Sequence, residues 1–268
     1  MRHATFLLTT STLLLVAACP PGGDTGQPAT GMHIVDLTHD FDENTVYWPT
    51  DTRGFQLEQL ARGHTEGGFF YSANAFCTAE HGGTHIDAPI HFFEDGLAVD
   101  EVPLTNLVGP AVVIDVSNEA AGNPEYRLTL AAVEAHESRH GAIPQGAIVL
   151  LRTGWSTRWP DVRAYLGDDT PGDASKLSFP SYGEEAAKFL IDERGVPVLG
   201  VDTASIDYGR STDFPVHRVA AARQVVGLEN LTGLETLPSA GFTVIALPMK
   251  IAGGSGGPVR VIAILESG

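Results

Sequence analysis

The stretch His81-Gly82-Gly83-Thr84-His85-Ile86-Asp87-Ala88-Pro89-Ile90-His91 places three histidines and an aspartate within eleven residues. Imidazole and carboxylate together suit a borderline divalent cation such as zinc or manganese. No lysine or arginine lies inside the stretch to neutralise Asp87, so a cation is its natural partner. In a fully extended chain, His81 and His85 would stand about 13 Å apart at Cα. Two imidazoles, each reaching an ion at about 2 Å, barely bridge that span. Gly82 and Gly83 tolerate the dihedrals that curl the chain and bring the pair within reach. Beyond them, Ile86 and Pro89 favour extended backbone, in which His85, Asp87 and His91 would all point the same way. The competing reading is a loop of ordinary hydrogen-bonding histidines, but so dense a set of ligand-type side chains favours metal. The order of residues is not His-Glu-x-x-His, so zincin peptidase chemistry is not indicated.

Further from the stretch, the signals are weaker. Glu229 lies twelve residues beyond His217 in an apolar segment, where a carboxylate needs a partner or a metal to be buried. From the residues alone, metal ligands and an ordinary buried polar pair are equally open readings of these two. His33, His39, His64, His136 and His140 read as loop or helix-surface residues. Cys77 precedes His81 by four residues, as a soft ligand, a nucleophile or an inert buried thiol; the apolar neighbours Ala75, Phe76 and Ala79 favour the last. Trp48, in Val46-Tyr47-Trp48-Pro49, is either a pocket wall or ordinary core.

The start of the chain reads as an export signal. Met1-Arg2-His3 is basic, residues 6–16 are mostly apolar, and small residues lead into Cys19. The apolar run is too short to span a bilayer stably. We expect a lipoprotein-type signal peptide over 1–18, with Cys19 lipidated after cleavage; the alternative is an ordinary secretory signal. Residues 19–31, rich in Pro and Gly, read as a flexible tether. This places the protein in the bacterial cell envelope, exported and lipid-anchored. The remaining 32–268 read as a single domain, since no second linker of that kind appears. A formal net charge of -17 argues against nucleic acid and against attraction to anionic lipid, leaving the acyl group as the membrane contact.

Strands are expected over 33–38, 69–76, 111–116, 147–152, 197–202, 243–248 and 259–265, with a further apolar segment over 225–231. Helices are expected over 128–140, with Thr129 as N-cap and Gly141 as stop, over 183–193, and around 217–223. Residues 159–180, rich in Asp, Pro and Gly, read as a long surface excursion. The alternation in the middle and the strand-rich end indicate an α/β fold with a mixed sheet or barrel. The glycine runs match no phosphate-binding fingerprint.

The motif His81-x-x-x-His85-x-Asp87-x-x-x-His91 resembles the signature of the cyclase-like metal-dependent hydrolases, a family that includes bacterial kynurenine formamidase and isatin hydrolase. The resemblance extends through Trp48-Pro49, residues 200–207, His217 with Glu229, and residues 247–250. It implies a swivelling β/β/α fold with a mixed, partly barrel-like sheet, a homodimer, and one or two divalent ions, Zn or Mn, per subunit. By that pattern His81, His85 and Asp87 hold the first ion, and Asp87 can bridge to a second completed by His217 and Glu229. His91 matches the acid/base histidine, and Trp48 matches an aromatic position lining the substrate pocket. The implied reaction is cleavage of a small aryl amide by metal-activated water. The substrate would be an arylformamide like N-formylkynurenine or an isatin-like cyclic amide. The alternatives are a lipid-anchored metal or small-molecule binding protein without turnover, and a structural metal site in an interaction protein.

Overall fold

Apolar runs without alternation need cover on both faces, and a sheet closed on itself with helices outside supplies it. The computed structural model describes residues 31–266. The expected signal peptide, Cys19 and nearly all of the tether lie outside the described residues. Among the described residues twelve strands follow in order: β1 (Met32–Asp36), β2 (Gln56–His64), β3 (Phe70–Cys77), β4 (His85–Asp87), β5 (Val108–Asp115), β6 (Arg127–Leu128), β7 (Ile148–Arg152), β8 (Ser181–Tyr182), β9 (Val198–Val201), β10 (Val226–Glu229), β11 (Phe242–Pro248) and β12 (Gly256–Glu266). The helices are α1 (Leu104–Leu107), α2 (Ser117–Ala121), α3 (Leu130–His140), α4 (Val162–Leu166), α5 (Glu184–Arg194) and α6 (Pro215–Ala221).

The main sheet runs β1-β12-β11-β5-β7-β9-β10-β4, and β4 pairs back onto β12. Seven strands therefore close into a mixed barrel, with β1 attached outside the ring. β5, β7, β9 and β10 are mutually parallel, while the other contacts in the ring are antiparallel. Alternate residues of one strand serve different cores, because side chains change face at every step. Ala111 and Val113 of β5 join Ile148, Leu150, Leu228, Val244 and Val261 in one cluster. Val112 and Ile114 instead join Val149, Leu151, Val133, Ala187 and Leu190, packing the sheet against α3 and α5. Strand and helix positions expected from sequence agree closely with these elements. α3 begins with Thr129 Oγ1 accepting from Ala132 N at 3.2 Å and ends at Gly141, whose φ is 91°.

Two expectations need correction. The 159–180 segment is not a bare surface excursion. It carries α4 and buries Tyr165, Leu166, Leu177 and Phe179 in a third core cluster with Val46 and Trp155. Its Asp, Pro and Gly residues punctuate turns between buried side chains, so composition misrepresented it. Cys77 and its surroundings are not core either. β3 pairs only with β2 in a separate two-stranded sheet, with a bulge between Gln59 and Ala61. Nothing among the described residues covers most of that hairpin. Leu57, Leu60, Phe70, Tyr71 and Phe76 are half or more exposed, and the Cys77 thiol is exposed with them.

His39 and His140 lie in a loop and on a helix surface as expected, but three other minor histidines do not. His33 and His64 lie in β1 and β2, and His136 is buried on α3. His39 stacks on Trp159 with ring centroids 4.2 Å apart, its backbone N–H donates to Thr84 Oγ1 at 2.9 Å, and its Nε2 is buried without a protein partner. Burial lowers its pKa to about 4, with Asp40 opposing. The unfolded chain, with an ordinary value near 6.5, binds more protons between these limits, so stability rises with pH across this window. Falling pH therefore costs the folded state stability, which is fully present only above about pH 6.5. We expect His39→Phe, which keeps the stack, to abolish on the order of 2 kcal/mol of acid destabilisation. Urea unfolding of both metal-free proteins at neutral pH and near pH 4 checks this; parallel pH profiles would refute it.

Candidate metal centre

The centre is built on β4, the shortest strand of the barrel. Gly82 (φ 150°) and Gly83 (φ 59°) curl the chain just before it, in conformations that side-chain-bearing residues disfavour. The turn brings the His81 and His85 ring centroids within 5.4 Å. β4 then lies antiparallel to β10, with His85 opposite Glu229 and Asp87 opposite Gly227. Directly opposed residues project to one face at short range, so the register itself juxtaposes a histidine on one strand with a carboxylate on the other. His217 enters from α6, whose N-terminus is held by Asp207: its carboxylate accepts from Val216 N and His217 N, both at 3.0 Å.

These residues form two overlapping triads with ligand atoms within 4.8 Å of one another: His81, His85 and Asp87, then Asp87, His217 and Glu229. Asp87 divides its oxygens between them. Oδ1 lies 2.7 Å from His81 Nδ1 and 3.2 Å from His85 Nε2, whereas Oδ2 lies 2.9 Å from His217 Nε2. Glu229 lies 3.2 Å from His217 Nε2 and 3.5 Å from His85 Nε2.

The outer hydrogen bonds test whether a cation fits. His85 Nδ1 donates to the Gly83 carbonyl at 2.9 Å, and His217 Nδ1 donates to Asp207 Oδ2 at 2.7 Å. Each ring's proton is thus committed outward, and each inner Nε2 offers a lone pair to carboxylate oxygens that also only accept. Acceptors facing acceptors at such distances need a positive charge between them. Divalent ions meet that need, and outward hydrogen bonds of this type are what orient metal-binding histidines. The electrostatics of the side chains point the same way. Burial opposes a charged His85, but hydrogen bonding to Asp87 and the fields of Asp87 and Glu229 prevail and raise its pKa to about 9. His217 is likewise raised well above its ordinary value despite burial, by Asp207, Asp87 and Glu229. Burial would raise the Asp87 carboxyl, yet the surrounding histidines hold it well below the usual range.

The centre opens into a cavity of about 270 Å³. Trp48, Phe92 and Phe214 form an aromatic side: Trp48 and Phe214 centroids are 6.3 Å apart, and Phe92 and Phe214 5.3 Å. Trp48 serves both roles left open by sequence, since it also packs edge-on against buried Phe179. His91 does not arrive by strand alternation. β4 ends at Asp87, and Pro89 opens a 3-10 turn at the position where its missing N–H costs nothing. The turn stacks the His91 ring on His81, with centroids 3.8 Å apart and planes 18° from parallel. Desolvation lowers the His91 pKa to about 4, against a smaller pull from Asp87, so the ring is neutral at neutral pH.

All six sequence-predicted metal and acid/base residues therefore meet at one site with Trp48. Sequence reasoning assigned no role to Asn230, Phe92 or Phe214. Asn230 Nδ2 donates to the same Gly83 carbonyl at 2.7 Å, and its Oδ1 accepts from Tyr165 at 2.9 Å, fixing the acceptor that orients His85. Adjacency to Glu229 was the available clue for Asn230. The spacing of Phe214 three residues before His217 was the corresponding clue for the aromatic wall.

The family model described as "Putative cyclase" matches residues 35–208. Isatin hydrolase of Roseibium aggregatum is 32% identical over 250 residues, covering 90% of this chain and 90% of that protein. Kynurenine formamidase of Salinibacter ruber is 30% identical over 234 residues, covering 86% and 97%. Among solved structures, isatin hydrolase A from Ralstonia solanacearum superposes with a TM-score of 0.81 at 36% identity, over 88% of this chain and 92% of that one. The sequence match and the closed mixed barrel agree, and the chain belongs to the cyclase family of metal-dependent hydrolases.

Proposed function

We propose that the protein is a metal-dependent amidohydrolase that cleaves a small aryl amide, either an arylformamide like N-formylkynurenine or an isatin-like cyclic amide. The observation that carries this reading is a neutral histidine, His91, stacked on ligand-type His81 at an aromatic-walled cavity. A purely structural metal site has no use for that arrangement. The names of the relatives, isatin hydrolase and kynurenine formamidase, support the same class.

His81, His85 and Asp87 would hold one zinc or manganese ion, and Asp87, His217 and Glu229 a second. When bound, such an ion supplies Lewis acidity, polarising an amide carbonyl and lowering the pKa of water towards about 7. The chain's own groups supply the rest. Trp48, Phe92 and Phe214 take the aryl ring, orient it and exclude water around it. His91, neutral beside the ligands, can accept the proton of the attacking water and return it to the leaving nitrogen, which would otherwise depart as a poor anion. Asp207, through His217 Nδ1, and the Gly83 carbonyl, through His85 Nδ1, keep the rings in one orientation during turnover. We also propose a homodimer, exported and anchored through acylated Cys19, on the family resemblance and the form of the N-terminal sequence.

Hydrolysis of N-formylkynurenine and of isatin, each assayed with zinc and with manganese, tests the assignment. Turnover of at least one is expected, lost on chelation. No activity on either with metal binding demonstrated would reject both substrates.

A further inference from the structure

The run Gly253-Gly254-Ser255-Gly256-Gly257 is glycine-rich but matches no phosphate-binding fingerprint, and the structure lays it against the metal centre. Ser255 O accepts from Ala88 N at 2.9 Å, fixing the run beside β4. The Ser255 hydroxyl donates to Glu80 Oε2 at 2.6 Å, and Ser255 N donates to the same oxygen at 3.1 Å. The same hydroxyl oxygen lies 2.9 Å from His81 Nε2. A hydroxyl has one proton, and here the carboxylate takes it. Toward His81, Ser255 can therefore only accept, which makes Nε2 the protonated nitrogen and leaves the Nδ1 lone pair aimed at Asp87 Oδ1, 2.7 Å away. His81 is thus set in the opposite sense to His85 and His217, whose Nδ1 atoms carry the outward protons. The flanking glycines make room for this chain of groups. A Cβ on Gly256 would stand 2.6 Å from His81 Cε1, and one on Gly254 would stand 2.8 Å from Glu80 Oε1.

We propose that Glu80 and Ser255 are positioning residues for the metal: acting in series, they fix His81 as an Nδ1 ligand and hold its ring at the first triad. The proposal rests on the metal-centre reading above. It assigns the C-terminal glycine run to a site more than a hundred and fifty residues upstream, consistent with the 174-residue separation of His81 and Ser255.

Chelator competition with manganese or zinc on the full chain tests it. Wild type, Ser255→Ala, Glu80→Ala and Glu80→Gln are compared, alongside urea unfolding of each metal-free protein. Ser255→Ala and Glu80→Ala should each weaken divalent-ion affinity by about 10–100-fold, the range expected for partners that orient a ligand. Metal-free stability should be little changed. Glu80→Gln should recover most of the affinity, because its amide oxygen can still accept the serine proton. Losses below about tenfold in both alanine variants would overturn the proposal. So would a Glu80→Gln loss equal to that of Glu80→Ala, which would mean that charge rather than orientation acts. A wild-type chain that binds no divalent ion would overturn the metal-centre reading itself.

Discussion

Asp87→Ala is expected to strip the divalent ion and to lower kcat/KM by at least about a thousandfold. No other residue belongs to both triads, with one oxygen turned to His81 and His85 and the other to His217. Losing either of two separate carboxylates would leave one triad intact; losing this one leaves neither. Asp87→Asn should be nearly as damaging: it keeps the shape but removes the negative charge and turns an N–H group toward nitrogens or a cation. Metal content by elemental analysis, and turnover of whichever aryl amide proves to be a substrate, check the expectation. Backbone pairing of Asp87 with Gly227 and Gly256 is unaffected by the side chain, so the variants should retain the native circular dichroism. An Asp87→Ala protein with full metal content and activity within tenfold of wild type would sink the shared-carboxylate account.

Replacing His91 should separate catalysis from binding. His91→Phe keeps the stack on His81 but has no proton to exchange. We expect kcat to fall about 10²–10⁴-fold, the usual contribution of a general acid–base group. Metal content should be unchanged and KM should move little, because the ring is not among the ligand triads. A lipid-anchored binding protein without turnover predicts something different: ligand and metal affinities indifferent to His91, and no reaction to lose. Steady-state kinetics paired with metal analysis distinguish the two. A His91→Phe enzyme with kcat within threefold of wild type would remove His91 from the chemistry.

Much of this was legible in sequence, for identifiable reasons. Runs such as 111–116 and 147–152 are apolar at every position, and only a sheet covered on both faces satisfies them. Thr129 and Gly141 marked α3 because capping chemistry is local. The histidine stretch stood out because four ligand-type groups lay within reach of each other along the chain. What stayed hidden depends on long-range register. β2 is mostly polar and finds its partner only in β3, so no periodicity announced it. Cys77 looked buried from its apolar neighbours, yet those neighbours stand on a hairpin that the barrel does not cover. Ser255 and Asp207 act through hydrogen bonds to partners 174 and 10 residues away along the chain, which composition cannot reveal.

β4 is also a mechanical part of the barrel. Three residues long, it is the clasp of the hoop: β10 grips one edge of it and β12 the other. The seam on the β10 side joins the strand that carries Asp87 to the strand that carries Glu229, so a cation held by both carboxylates would act as a rivet through the join. Springing the hoop there would tear the ion's ligands apart, and the free energy of metal binding is therefore also resistance to opening. A chelated chain would still be a hoop, but one whose clasp is held only by its short ladder of backbone hydrogen bonds.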